Sequence, residues 1–273
     1  VSLNQFVVPV IAVSVALSLI MSGAWLAWRS TRNSGWVDAT WTFGLGAVGC
    51  LGALVPFAAV GWRQIAVAGL VVLWSLRLGL HIARRTARIT DDPRYAKLLQ
   101  EWGAGAAWQM FLLLQKQALV SIPLALSIIL AARNPAASVR LQDVIAMLVL
   151  IVAITGEGIA DAQLRAFRAD PANRGRVCDA GLWGWSRHPN YFFEWLGWTA
   201  YPLFAIDLSG AYPWGWIAIA GPLCMYWLLL HISGIPPLEQ HMLERRPEAF
   251  RAYQLRTNAF FPAPPRVTRR SPA

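Results

Sequence analysis

Charge is what this sequence has least of. Only 14% of its 273 residues are Asp, Glu, Lys or Arg, whereas soluble domains carry about a quarter. A soluble globular fold is excluded on that ground. Metal and redox spacings are missing as well: Cys50, Cys178 and Cys224 stand far apart, with no Cys or His at ligand distance in sequence. They read as structural thiols, and no metal is expected. No Walker sequence and no dinucleotide fingerprint is read, so a bound nucleotide would be held without a Rossmann or P-loop domain. The first apolar run is too long for a signal peptide, and no basic residue precedes it.

What is present is apolar surface. Hydrophobic residues make up 56% of the chain, and there are fifteen tryptophans, a residue that favours membrane interfaces. The mean hydropathy is +0.44. A net charge of +10 raises nucleic acid as a partner, but the arginines lie between long apolar runs, which a soluble basic binder would not do. No nucleic-acid partner is expected.

A spanning helix needs roughly 20 mostly apolar residues. Seven segments qualify: 6–28, 37–58, 64–83, 108–131, 141–164, 190–208 and 213–233. Proline, glycine and charge clusters fall between them. The stretches 84–107 and 165–189, and the tail after Gly234, are amphiphilic and expected at the surface. With the N-terminus outside, nineteen basic residues fall in cytoplasmic stretches and three outside (Arg63, Arg133 and Arg140), while Arg77 and Lys116 lie within helices. The tail contributes seven of the nineteen, Arg269 and Arg270 included. By the positive-inside rule the expectation is an all-α polytopic membrane protein with seven transmembrane helices, N-terminus outside and C-terminus cytoplasmic. It would lie in a bacterial inner membrane, or in the endoplasmic reticulum if eukaryotic.

Ionisable groups in hydrocarbon are costly and mark pathways or sites by default. Here they are Asp38, Arg77, His81, Lys116, Glu157, Asp161, Glu194 and His231, all in the cytoplasmic half of that topology. Helical spacing gathers them into stripes: Trp74, Arg77, His81 and Arg84 or Arg85 with Arg88; Glu157, Asp161 and Arg168; Asn190, Glu194, Gly197 and Tyr201. Three such stripes imply a polar cavity between helices, open to the cytoplasm. The plainer alternative is that these groups pair locally, Arg77 with Asp38 or Glu157, to hold the bundle together. The concentration of charge on one side favours the cavity. Twenty-two of the 24 basic residues are arginines, whose forks suit phosphates, although positive-inside bias would also supply arginine.

From Gly181 the chain reads Gly181-Leu182-Trp183-Gly184-Trp185-Ser186-Arg187-His188-Pro189-Asn190-Tyr191-Phe192-Phe193-Glu194-Trp195. This resembles the signature of the steroid 5α-reductase-like membrane family. Glu157, Asp161, Gln163, Phe167 and Arg168 resemble the same family, as does Asp38 within Gly35-Trp36-Val37-Asp38-Ala39-Thr40-Trp41. So do Arg77-Leu78-Gly79 with His81 and Arg85, the Asp92-Pro93-Arg94-Tyr95 step, Gly234-Ile235-Pro236-Pro237-Leu238-Glu239, and the tail from Tyr253 through Thr257 and Phe260 to Pro262. The likeness covers 35–262, leaving 1–34 a less matched first helix and 263–273 a basic tail of one integral-membrane domain. The Arg-His-Pro-Asn-Tyr core is shared with sterol reductases and isoprenylcysteine carboxyl methyltransferases, so it names a superfamily more sharply than a reaction.

The resemblance implies an enzyme that takes NADPH from the cytosolic side and reduces the C4–C5 double bond of a 3-oxo-Δ4-steroid or similar lipophilic enone drawn from membrane lipid. Hydride goes to the β-carbon, negative charge develops on the carbonyl oxygen, and a donor is needed there. A carboxyl group kept protonated in a dry site could serve. Asp38 and Glu194 are the expected catalytic acids. The sequence departs from animal steroid reductases in having Ile82 at their helix-three tyrosine, which leaves the second donor unassigned. Asn190 resembles the nicotinamide carboxamide ligand, supported by Glu194, and Asp161 a ribose or amide ligand. Arg168 resembles a pyrophosphate ligand, and Arg85, Arg88 and Arg176 are candidates for the phosphates. Arg77, His81 and Tyr191 belong to the matched motifs and are carried over as cofactor contacts. Glu239, His241, Arg251 and Tyr253 are expected lid contacts from the tail. Each arginine has the alternative of a solvated positive-inside charge. His188, carried over with its motif as a cofactor contact, has two further readings, as a catalytic acid or as a structural residue fixing the turn before Pro189. His81 and His231 have the alternative of bundle histidines. A methyltransferase would place S-adenosylmethionine in the same cavity; a lipid- or sterol-binding protein without turnover would have little use for the acids. A monomer is compatible with all three.

Overall fold

The structure, a computed structural model, describes residues 3–55, 60–88 and 90–266, with backbone alone for 3–6 and Pro93. Arg269, Arg270 and the rest of the expected basic tail beyond 266 lie outside the described residues. Eleven α-helices run in order among those described: α1 (Leu3–Thr31), α2 (Gly35–Leu54), α3 (Trp62–Thr86), α4 (Pro93–Trp102), α5 (Ala106–Ala132), α6 (Leu141–Ala169), α7 (Leu182–Trp185), α8 (Pro189–Ala205), α9 (Ala220–Trp227), α10 (Ile235–Arg245) and α11 (Pro247–Arg256). No strand occurs among the described residues; one isolated bridge pairs Ser186 with Asn258. The all-α expectation holds.

Among the described residues six helical stretches are long and apolar enough to cross a membrane: Val7–Thr31, Gly35–Leu54, Trp62–Thr86, Arg94–Ala132, Leu141–Ala169 and Pro213–Arg245. The molecule is therefore built as a multi-pass membrane protein. The expected segment 190–208 is not among the six. It folds as α8, 17 residues long, or about 25 Å at 1.5 Å per residue, against a hydrocarbon core of about 30 Å. The segment 213–233 is not one regular helix either. It opens as a tight 3₁₀ run, Pro213–Ile219, continues as α9, and ends in a wider π-helical turn, Leu228–Ile232. Gly215 in this tight start packs closely: a Cβ there would stand 2.1 Å from the Ala205 carbonyl oxygen.

The chain divides into two compact units. The first comprises Val1–Met147 and Tyr201–Cys224. In it α1, α2, α3 and α5 pack on one another, and small residues permit the close approach, as they do between membrane helices generally. A Cβ on Gly46 would stand 2.2 Å from Ser75 Oγ, and one on Gly79 would stand 2.5 Å from the Phe43 ring. Gly44, Gly46 and Gly49 do have the Gly-x-Gly-x-x-Gly spacing, contrary to the reading above. They sit in mid-helix facing Ile20, Ser75 and Ile128, where packing, not a phosphate turn after a strand, explains them. Polar side chains in apolar helices find each other: Ser18 Oγ donates to Gln115 Oε1 at 2.7 Å, and Gln115 Nε2 donates to Ser22 Oγ at 3.2 Å.

The second unit comprises Leu148–Ala200 and Met225–Ala273. It holds most of α6, then α7, the start of α8, and α10 and α11. Gly156 on α6 lies under the Phe193 ring, where a Cβ would come within 2.4 Å, and Gly197 on α8 faces Leu150.

Candidate active site

In the first unit the polar residues centre on Asp38, in the opening turn of α2. Its neighbours come from α4, and the start of α4 is set by sequence-local chemistry. Asp92 caps the helix by accepting from the Arg94 backbone N–H at 3.0 Å, with Pro93 at the first helical position, where its missing N–H costs nothing. Arg94 then bridges two acids, pairing with Asp38 and, through Nε, with Asp92 at 3.0 Å. Arg85 holds the other Asp92 oxygen at 3.1 Å. Burial pushes the Asp92 carboxyl up, but the hydrogen bonds and charge of Arg94, with help from Arg85, outweigh it and leave the group below its ordinary value. Tyr95, 6% exposed, donates its hydroxyl to Asp38 Oδ1 at 3.1 Å and accepts from Gln117 Nε2 on α5 at 3.0 Å. Both Asp38 oxygens thus act as acceptors, one for a guanidinium and one for a phenol. Gln117 Oε1 is buried without a hydrogen-bond partner among the described residues.

Of the other residues expected from this unit, Arg77 and His81 are half-buried on α3, and neither is without a partner. Arg85 is engaged by Asp92, and Arg88 is exposed.

In the second unit three acids are buried on two helices: Glu157 at 5%, Asp161 at 6% and Glu194 at 8% exposure. Glu194 accepts from Trp198 Nε1 at 2.9 Å, one helical turn on. The glycine–tryptophan motif packs onto α6. Gly181 has φ +61°, and a Cβ there would stand 2.7 Å from Gln163 Oε1. That same oxygen accepts from the Leu182 backbone N–H at 3.0 Å. Trp183 Nε1 donates to the Ala160 carbonyl at 2.9 Å.

The tail is tied to the same motif. Glu239 on α10 accepts from Arg187 Nε at 2.8 Å and Gln254 Nε2 at 2.7 Å, and pairs with His188 Nε2 at 3.0 Å. Tyr253 donates to the Trp183 carbonyl. The Arg187 N–H donates to the Asn258 carbonyl at 2.8 Å, and the Ala263 N–H to the Trp185 carbonyl at 3.0 Å. Glu239 and Tyr253, expected as lid contacts, are thus ties within the protein. His188 is 3% exposed and stacks on Tyr191 at 5.5 Å; its Nδ1 is buried without a hydrogen-bond partner among the described residues. Burial lowers the imidazole below its ordinary pKa, and Glu239 offsets part of that. The ties to Glu239 and the turn before α8 fit the structural reading of this histidine.

Asn190, Tyr191 and His241 are half-buried, while Arg168, Arg176 and Arg251 are exposed. His231 is exposed too, so the bundle-histidine alternative does not describe it. Sequence reasoning did not place Arg94, Tyr95 and Gln117 beside Asp38, or Arg187 and Gln254 on Glu239. The available signal was the Asp92-Pro93 helix start, which fixes where α4 begins and therefore where Arg94 and Tyr95 fall.

An all-α membrane domain with buried acids and an Arg-His-Pro-Asn-Tyr turn is the class these features define. Residues 24–257 match the family described as "Protein of unknown function (DUF1295)", and the chain belongs to it; this is a steroid 5α-reductase-like membrane family. No curated protein and no solved structure matches the chain.

Proposed function

We propose that the protein is an NADPH-dependent reductase acting on the C4–C5 double bond of a 3-oxo-Δ4-steroid or a similar lipophilic enone. The observation that carries this reading is the convergence of the Tyr95 hydroxyl and the Arg94 guanidinium on Asp38. Enone reduction builds negative charge on a carbonyl oxygen, and preorganised donors are worth most where charge develops. Methyl transfer from a sulfonium dissipates charge and needs no such set. In this reading Asp38 holds both groups in place; Arg94 polarises the carbonyl, or Tyr95 does by turning its one hydroxyl proton from Asp38 to the substrate, filling the place that Ile82 leaves open.

NADPH, when bound, supplies the hydride. Asn190 offers an amide to the carboxamide, Glu194 and Asp161 offer acceptors to amide or ribose hydrogens, and the exposed Arg168 and Arg176 offer forks to the phosphates. Seven spans with the N-terminus outside belong to the same proposal, with α8 crossing as the short seventh helix.

The test is purified protein with NADPH and progesterone or testosterone, following loss of the reduced-nicotinamide absorbance against a detergent blank. Substrate-dependent loss is expected. Turnover of S-adenosylmethionine with none of NADPH would overturn the reading in favour of an isoprenylcysteine carboxyl methyltransferase-like enzyme.

A further inference from the structure

Independently of that reading, one ionisable residue of the apolar runs stays outside the candidate active site. Lys116 reads from the sequence as one of the groups around a polar cavity. In the structure it is exposed on α5, and among the described residues it makes no hydrogen bond or ion pair. Its chain neighbours are engaged on either side: Gln115 with Ser18 and Ser22 of α1, and Gln117 with Tyr95 of α4. Lys116 falls between those two directions, on a stripe with Trp108, Leu112 and Leu119 at three- and four-residue spacing. Trp108, Lys116 and Leu119 are all exposed, so this stripe is the outward face of α5.

Depth makes that position costly. α5 has 27 residues, about 40 Å of axis, against a hydrocarbon core of about 30 Å. Lys116 stands about 15 Å from the Ala106 end, so its Cα lies within the hydrocarbon. A charged side chain facing lipid there needs a counter-ion or water. A lysine finds one by running its stem back to the headgroups, and side chains lean toward the N-terminus of their helix, here the near end.

That end of the α1–α5 pair carries a second cation on an aromatic platform. Trp25 Nε1 donates to the Ala107 carbonyl at 2.8 Å, and the Trp25 ring meets Phe111 at 5.6 Å. Phe111 stacks in turn on Trp108 at 5.6 Å. The exposed Arg29 holds its guanidinium 4.9 Å from the centre of the Trp25 ring. Tryptophans of this kind mark the headgroup level, so Lys116 leans toward a level where Arg29 and Trp108 already stand.

Charge and surroundings name the occupant. Even with the exposed Glu101 near the end of α4, Arg29, Arg32 and Lys116 leave positive charge in excess. A second copy of the chain offers no counter-ion at that depth: among the described residues α1, α2, α3, α5, α6, α8 and α9 expose no carboxylate. Leu19 and Leu26 of α1 and Leu119 of α5 are exposed on the same two helices, and free phosphate has nothing to lay along them. A phospholipid supplies both the anion and the chains, and basic sites between membrane helices take such headgroups.

We propose that the outward face of the α1–α5 pair binds an anionic phospholipid. Its headgroup sits by Trp108, with Arg29 and Lys116 as the cations for its phosphodiester and the exposed leucines along its chains.

The test is thermal unfolding of the delipidated full chain in neutral detergent, read by tryptophan fluorescence. It is titrated separately with phosphatidylglycerol, phosphatidylcholine and inorganic phosphate. A saturable rise in Tm of about 3 °C or more is expected with phosphatidylglycerol alone. Lys116→Met keeps an unbranched side chain without the charge, and Arg29→Gln removes the second cation. Each should keep the unliganded Tm and lose most of the rise. No rise in the unaltered protein, an equal rise with phosphatidylcholine or inorganic phosphate, or a full rise in Lys116→Met would overturn the proposal. So would a dimer, measured by light scattering, that Lys116→Met dissociates, since the lysine would then belong to a second copy.

Discussion

At the scale of single residues, the group around Asp38 makes the sharpest prediction. Tyr95→Phe keeps the ring and its packing but removes the hydroxyl that joins Gln117 to Asp38. A neutral hydrogen bond of this kind contributes about 1 kcal/mol to stability, whereas a lost oxyanion donor costs about 10²-fold or more in turnover. A mainly structural Tyr95 would lower Tm and spare kcat; the proposed role predicts a large loss of kcat beside the same small loss of Tm. Asp38→Asn should likewise lower kcat while cofactor affinity is kept, and unaltered rates in it would remove Asp38 from the mechanism. His188 gives a prediction in pH. Burial holds its folded-state pKa below the unfolded value of about 6.5, so between the two the unfolded chain binds more protons. Stability contributed by neutral His188 is therefore complete above about pH 7 and falls as pH drops through 6.5, with a slope of at most about 1.4 kcal/mol per pH unit. Denaturation midpoints measured from pH 7.5 to 5 should show the fall, and His188→Gln should flatten it.

At the scale of elements, the close contacts are made by glycine, and they divide into those a helix can relieve and those it cannot. On α6, a Cβ at Gly156 would meet three atoms of the Phe193 ring within 2.6 Å, a rigid group packed in turn against Phe192. Gly156→Ala should cost about 1–3 kcal/mol through overpacking, read as a lower unfolding midpoint. Gly69→Ala on α3, with nothing within 4 Å, should be neutral or slightly stabilising. Element existence was legible in the sequence because unbroken apolar runs leave the backbone no option in lipid but a helix. What was not legible was their internal geometry. The run 213–233 reads as one helix by hydropathy, yet it opens as a 3₁₀ run with Gly215 close against Ala205, a tertiary contact that hydropathy does not carry. Asp38, Glu157, Asp161 and Glu194 were legible because an acid in an apolar run stands out. Tyr95 was not, because it falls in a basic stretch that looks like surface until Asp92 and Pro93 start α4 and bring it to Asp38. Glu239 was picked as a ligand of the tail, and only coordinates show it committed to Arg187, His188 and Gln254.

At the scale of the whole molecule, the open quantity is whether α8 crosses the membrane, because this decides the side on which everything after it lies. Its 17 residues are at the lower limit of what spans a bilayer, and a short span is accommodated by local thinning at modest cost. The charge distribution argues for crossing. Arg245, Arg246, Arg251 and Arg256 follow it, and with six crossings they would share a side with the N-terminus, against the positive-inside bias of Arg84, Arg85, Arg165 and Arg168. Single cysteines in a background lacking Cys50, Cys178 and Cys224 separate the cases, using a membrane-impermeant maleimide on intact cells. Ser138→Cys and Ser209→Cys, both exposed, should label from outside. Ala172→Cys and Glu248→Cys, also exposed, should label only after permeabilisation. If Ser209→Cys instead behaves like Ala172→Cys, α8 turns back without crossing, six spans remain, and the seven-helix part of the proposal fails while the Asp38–Arg94–Tyr95 group stands untouched.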